Sequence, residues 1–146
     1  MMISTRGRYA LRILVDLAEQ QTEEKVTLRE LAERQGISEK YLESIVKELV
    51  NAGILEGLRG KGGGYRLVPA PEEIRVLELL ERMEGTLAPV ACLEDGNVNC
   101  ERASICPTLP TWIRLNNLIQ KFLDSVTLAD LMAENERGEN SPAQQQ

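Results

Sequence analysis

LAERQGISEKYLESIVKEL, residues 31–49, is the stretch whose reading decides the fold. Leu28, Leu31 and Ala32 fall on one helical face, and Thr27 with Glu30 three residues on makes a capping box ahead of them. Gly36 stops that short helix, and Ser38 is placed to cap the next, which runs to about Asn51. On this next helix Leu42, Ile45, Val46, Leu49 and Val50 face inward, whereas Glu39, Lys40, Glu43, Ser44, Lys47 and Glu48 face outward. A short helix, a turn containing glycine and a second helix describe a helix-turn-helix.

Upstream, Ala10, Ile13, Leu14, Leu17 and Ala18 repeat at helical spacing and predict a helix over roughly 5–20, with QTEEK as a polar connection. Downstream, Gly53 ends the second helix of the motif, and ILEGL and YRLV read as two strands around RGKGGG. The expected class is therefore mainly α: a winged helix-turn-helix with a two-stranded wing. PAPEE then breaks the chain, and Ile74, Leu77, Leu80 and Met83 mark a fourth helix. Residues 85–107 read as irregular. Thr108 or Thr111, with Pro110 in the first turn, opens a long helix to about Ser125. Its apolar positions (Trp112, Leu115, Leu118, Ile119, Phe122 and Leu123) cover more than one stripe, enough to face both its own domain and a second subunit. Thr127 caps a last short helix through Met132. The division expected is a winged helix-turn-helix over 1–70, a segment with cysteines and dimerisation helices over 71–133, and a disordered polar tail over 134–146.

At 146 residues the chain is long enough for a genuine core, and its 3% aromatic content requires a core of Leu, Ile, Val and Ala. No apolar run approaches the ~18 residues of a membrane span, and the charged start MMISTRGRYALRIL is unlike a signal peptide, so a cytoplasmic protein with no membrane partner is expected. The net charge of −6 argues at first against nucleic acid, but it is unevenly spread. Residues 1–68 hold eleven basic against ten acidic side chains; residues 69–146 hold six against thirteen. Such asymmetry permits phosphate binding by the first half without demanding it.

Reading a duplex takes an element that fits the major groove, side chains that reach base edges, and charges for the phosphates. The second helix of the motif offers Ser38, Glu39, Lys40, Tyr41, Glu43 and Ser44 in its first half, the part that ordinarily enters the groove. A glutamate there accepts from a cytosine amino group and repels phosphate, so it serves discrimination more than affinity. Arg59 and Lys61 stand at the hairpin tip beside Gly62 and two further glycines, suited to a minor groove or a phosphate edge. Winged helices also serve as protein-interaction modules, and Glu and Lys on a helix face are commonly only solvated. An enzyme is not indicated: there is no histidine, no nucleophile–base pairing, and GKGGGY lacks the spacing of a nucleotide loop.

Cys92, Cys100 and Cys106 are the only cysteines, separated by seven and five residues in a loop rich in Gly, Asn and Asp. In a reducing compartment that crowding points to metal or redox chemistry, and thiolates are the preferred ligands of iron–sulfur clusters. A zinc site using an acidic fourth ligand, bare redox thiols, and thiols with no present role are the alternatives.

Taken together, STRGRYALRIL (4–14), LAERQGISEKYLESIVKEL, RGKGGGYRL (59–67) and SVTLADL (125–131) resemble the IscR-type transcription regulators, whose relatives include NsrR, RirA and CymR. The resemblance spans about residues 1–133. It implies a homodimer paired through the helix near 111–125, binding a partly palindromic double-stranded operator. It places Ser38, Lys40, Tyr41 and Glu43 on the groove-facing helix, Arg59, Lys61 and Gly62 on the wing, and Arg6 and Arg8 where phosphate contact is expected. It also implies an iron–sulfur cluster on Cys92, Cys100 and Cys106, [2Fe–2S] favoured over [4Fe–4S]. Here the sequence departs from the pattern. The first cysteine gap is longer, the family's histidine ligand is replaced by Leu109, and the place of an acidic residue some relatives borrow from a partner is Arg8. The fourth ligand is thus open, with Glu94, Asp95 and Glu101 as nearby oxygen donors. The expected function is a DNA-binding transcription regulator sensing iron–sulfur, redox or nitric oxide status. The alternative is a metal-free thiol regulator acting partly by binding an enzyme.

Overall fold

The computed structural model describes residues 3–20, 25–58, 60 and 63–139. Six helices and one hairpin follow in the order α1 (Thr5–Glu19), α2 (Leu28–Gln35), α3 (Glu39–Asn51), β1 (Leu55–Leu58), β2 (Gly64–Leu67), α4 (Val76–Glu84), α5 (Leu109–Asp124) and α6 (Leu128–Glu139). Single 3₁₀ turns lie at Pro71–Glu73 and Ala91–Leu93. The chain is the winged helix-turn-helix, mainly α, that the spacing predicts.

Each helix of the motif begins on a side-chain cap. Ser4 accepts from the Gly7 N–H, Thr27 and Glu30 form the capping box, and Ser38 accepts from the Tyr41 N–H. Gly36 closes α2 at φ 63°, a left-handed conformation that glycine adopts without the Cβ clash, and this turns the chain from α2 into α3. Helix α1 is the axis of the molecule, touching α2, α3, α4, α6 and β2. Ile13, Leu14, Leu31, Leu42, Ile45 and Leu49 are fully enclosed around it, and the same core takes in Ile74, Leu79 and Leu128. A second, smaller cluster forms around Val76, Leu80 and Leu87. Asp16 is buried yet satisfied: Arg34 donates to both its oxygens (2.6–3.1 Å) and Gln35 Nε2 to one (2.7 Å), tying α1 to the end of α2.

The wing strands pair antiparallel from Leu55↔Leu67 to Leu58↔Gly64. The link before α2 adds a third edge: Val26 and Tyr65 exchange backbone hydrogen bonds of 3.2 and 2.8 Å. Nothing in the local pattern foretells this non-local pairing.

Three readings are corrected. Val50 faces outward at 36% exposure and lines the groove between α3 and the wing. In α4 the inward face is Val76, Leu79 and Leu80, while Ile74 precedes the helix and Leu77 and Met83 lie only half-buried. And α6 does not stop at Met132 but continues through Glu139, six residues into the stretch read as a disordered tail. Polar contacts sustain it there: Asn135 donates to Glu19 Oε1 of α1 at 2.7 Å, and Arg137 pairs with Glu134 at 3.1 Å. Residues 140–146 lie outside the described residues.

Candidate nucleic-acid interface and cysteine loop

The outer face of α3 carries Lys40, Glu43 and Lys47, all exposed. Between this face and the wing runs an open groove of about 610 Å³, lined by Glu43, Lys47 and Asn51 of α3, Thr27 ahead of α2, and Gly57 and Gly64 of the strands. The sequence places Lys47 on the outward face and Asn51 at the helix end without giving either a role in the groove. The signal for them was there: positions 40, 43, 47 and 51 share one face at helical spacing.

Of the residues expected to read a duplex, Lys40 and Glu43 stand free on that face. Ser38 is committed to its own helix, its Oγ 3.2 Å from the Tyr41 amide. Ser38→Ala should therefore lower stability by about 1 kcal/mol, measured by urea unfolding, before any effect on ligand binding is counted. Tyr41 is half-buried, its ring 6.0 Å from Tyr9 in an edge-to-face pair at 74°, and Arg12 lies over the Tyr9 ring at 5.0 Å. Arg8 is exposed and donates to Thr5 Oγ1 at 3.2 Å. Arg6 is engaged rather than free: it donates to the Ser44 hydroxyl and carbonyl of α3. Arg59, Lys61 and Gly62, the wing residues of the expectation, lie outside the described residues. The backbone beside them turns by a Gly63 N–H to Gly60 carbonyl hydrogen bond of 2.9 Å.

The second site is the segment between α4 and α5. It is a succession of short turns, each closed locally: Leu93 N–H to Val90, Gly96 to Leu93, Ala103 to Cys100 and Ile105 to Arg102. One longer bond, Asn99 N–H to the Cys92 carbonyl at 2.8 Å, crosses it. Cys92 and Cys106 are half-buried, Cys100 is exposed, and all three are free thiols. Among the described residues no three Cys, Asp or Glu side chains gather as a group able to hold a metal ion. The donor set suits an iron–sulfur cluster, although the three thiols do not stand together as a formed ligand group among the described residues.

Cys106 has its own environment. Its thiol sits 3.4 Å from Thr108 Oγ1, next to the start of α5. The Thr108 hydroxyl, then the Thr108 and Leu109 amides, hold its pKa below the usual thiol value, with Arg102 adding to the effect. Alkylation by iodoacetamide should accordingly reach half its limiting rate at a lower pH for Cys106 than for an ordinary thiol. Thr108→Ala should move that midpoint upward, followed by peptide mass spectrometry.

Apolar surface continues from this loop along α5. Ile105 is 67% exposed, and Leu115, Leu118 and Phe122 are 38, 65 and 65% exposed at spacings of three and four residues. Among the described residues no helix is long and apolar enough to cross a membrane.

The sequence profile of the Rrf2 family, described as an iron-dependent transcriptional regulator, matches residues 3–134. The chain is 39% identical to the protein rrf2 of Nitratidesulfovibrio vulgaris over 132 residues, 90% of this chain and 87% of that one. It is 37% identical to the HTH-type transcriptional regulator IscR of Aliivibrio salmonicida over 136 residues, 93% and 80% of the two chains. Among solved structures it is similar to CymR, the global cysteine regulator of B. subtilis, with a TM-score of 0.75 at 37% identity over 92% of this chain and 98% of that one.

Proposed function

This chain belongs to the Rrf2 family of transcriptional regulators, not to an enzyme family, and on that footing we propose that it acts in the cytoplasm as a homodimer on a partly palindromic double-stranded operator. The observation that carries the reading is the free outer face of α3, where Lys40 is exposed and Glu43 and Lys47 open onto a groove that ends at the wing. Lys40 and Lys47 meet phosphates, Glu43 reads a base edge, and the wing, with Arg59 and Lys61, closes over the neighbouring backbone. Two copies joined along α5 set two such faces about 34–36 Å apart, one turn of duplex. The apolar stripe Leu115, Leu118 and Phe122 supports that joint.

The test is a salt titration of duplex binding. Affinity should fall steeply and log-linearly with salt, because each neutralised phosphate releases counterions. Glu43→Ala should relax base preference with little loss of affinity. Affinity collapsing for every duplex alike would show that α3 does not face the groove this way.

The cysteine loop is the signal-receiving element in this reading, and Cys92, Cys100 and Cys106 are the ligands of an iron–sulfur cluster, [2Fe–2S] before [4Fe–4S], once the loop closes around it. Anaerobic protein should then absorb between roughly 300 and 600 nm and lose that absorbance on replacing any of the three cysteines. A second reading is favoured by the separated free thiols, the lowered Cys106 pKa and the likeness to a cysteine regulator: a metal-free thiol regulator that acts partly by binding an enzyme. Colourless protein that takes up no iron on reconstitution supports it.

A further inference from the structure

The first turn of α1 is gripped from two sides. On one side stands Glu84, the last residue of α4. Its Oε1 accepts from the Ser4 amide at 2.9 Å and from the Ser4 hydroxyl at 2.7 Å. Ser4 Oγ in turn accepts from the Gly7 amide at 3.2 Å, so the helix cap and the Glu84 contact are one network. Gly7 is buried beneath this carboxylate. A Cβ at Gly7 would overlap Glu84 Oε1 and approach Leu80 Cδ2 at 3.2 Å, so a larger residue here would push the Glu84 carboxylate off its contact with Ser4.

On the other side stands α3. Arg6 donates Nη1 to Ser44 Oγ at 3.0 Å and Nη2 to the Ser44 carbonyl at 3.2 Å, with Glu48 3.9 Å away. Ser44 Oγ donates onward to the Tyr41 carbonyl at 2.8 Å. The guanidinium thus holds α3 at its middle, one residue past Glu43. It fixes the direction and distance of α3 through two donor contacts on one residue, which a single hydrogen bond would not do. The residue after Glu84 is Gly85, where the cysteine segment begins. Ser4 and Arg6, two residues apart, therefore meet the anchor of that segment and the helix that reads DNA.

We infer that Arg6 is a positioning residue for α3, and that the Ser4–Glu84 contact fixes Arg6 against the root of the cysteine loop, so that operator selectivity is set at this turn. The inference rests on the DNA-binding reading and deepens it. It replaces the expectation that Arg6 meets a phosphate, and the two roles leave opposite marks. Losing a phosphate contact weakens binding to every sequence and reduces the salt slope by about one; losing a positioning contact lowers selectivity and leaves the slope alone.

The test uses the full chain and a duplex enriched from random DNA by the wild-type protein. Fluorescence anisotropy at several salt concentrations compares wild type, Arg6→Ala, Glu84→Ala and the double variant on this duplex and on an unrelated one. Each single variant should bind the enriched duplex about five- to tenfold more weakly, on the scale of one or two charge-assisted hydrogen bonds. Binding to the unrelated duplex and the salt slope should stay as in wild type. The double variant should lose less than the product of the two losses, because both act on one contact chain. Ser4→Ala, which removes only the hydroxyl, replaces Glu84→Ala if the latter melts early. A salt slope reduced by about one in Arg6→Ala, equal losses on both duplexes, or losses that simply multiply would each overturn the inference. Wild-type protein that enriches no duplex is a separate result: it removes the DNA-binding reading, and this inference with it.

Discussion

If two copies pair through α5 as proposed, replacing Leu118 and Phe122 together by Glu should give a folded monomer that binds duplex about two orders of magnitude or more less tightly, the avidity of a second half-site being lost. Both side chains are 65% exposed, so the change costs the single chain little. At a two-fold interface the same stripe meets itself, and each copy then brings two carboxylates into a contact that had been apolar. Four carboxylates must then be desolvated against one another, a cost that Arg114 and Lys121, exposed on the flank of the stripe, offset only in part. Light scattering on the eluting protein reads the mass, circular dichroism reads the fold, and anisotropy reads the affinity. A variant that stays dimeric would place the joint elsewhere on the molecule.

Leu42→Ala should destabilise the protein by about 2–5 kcal/mol. Leu42 is 0% exposed, packed in the cluster that holds α3 against α1 and α2. Truncation leaves a void where three helices meet, and a close-packed interior closes such a void only in part. Against a total of about 5–15 kcal/mol this is a large share, and the melting temperature should drop by roughly 10 °C. Val50→Ala is the control. The sequence pattern places Val50 on the same inward face, but at 36% exposure its truncation should stay within about 0.5 kcal/mol. Urea unfolding of the two variants separates the inward face the spacing predicts from the one the chain builds.

That contrast shows why part of the structure was legible and part was not. The first three helices declare themselves because their determinants are local: Ser38 caps three residues ahead, Gly36 turns where a left-handed residue is needed, and Leu42, Ile45 and Leu49 repeat at the helical period. What escaped depends on residues far apart in the chain. Val26 pairs with Tyr65 through backbone atoms, which leave no side-chain signature. The last turns of α6 persist because Asn135 reaches Glu19, across most of the chain length. The resemblance places Arg6 where phosphate contact is expected, and its hold on Ser44 was not legible because it follows only from how α1 crosses α3. The cysteines were legible as chemistry and not as geometry, because a loop of self-closed turns carries no pattern that says where its sulfurs meet.

If two α3 faces joined through α5 read one duplex, selection of binding sequences from random double-stranded DNA by the wild-type protein should enrich two related half-sites in inverted orientation, their centres about 10–10.5 base pairs apart. Recovery of a lone half-site, or of no sequence above background, would contradict it.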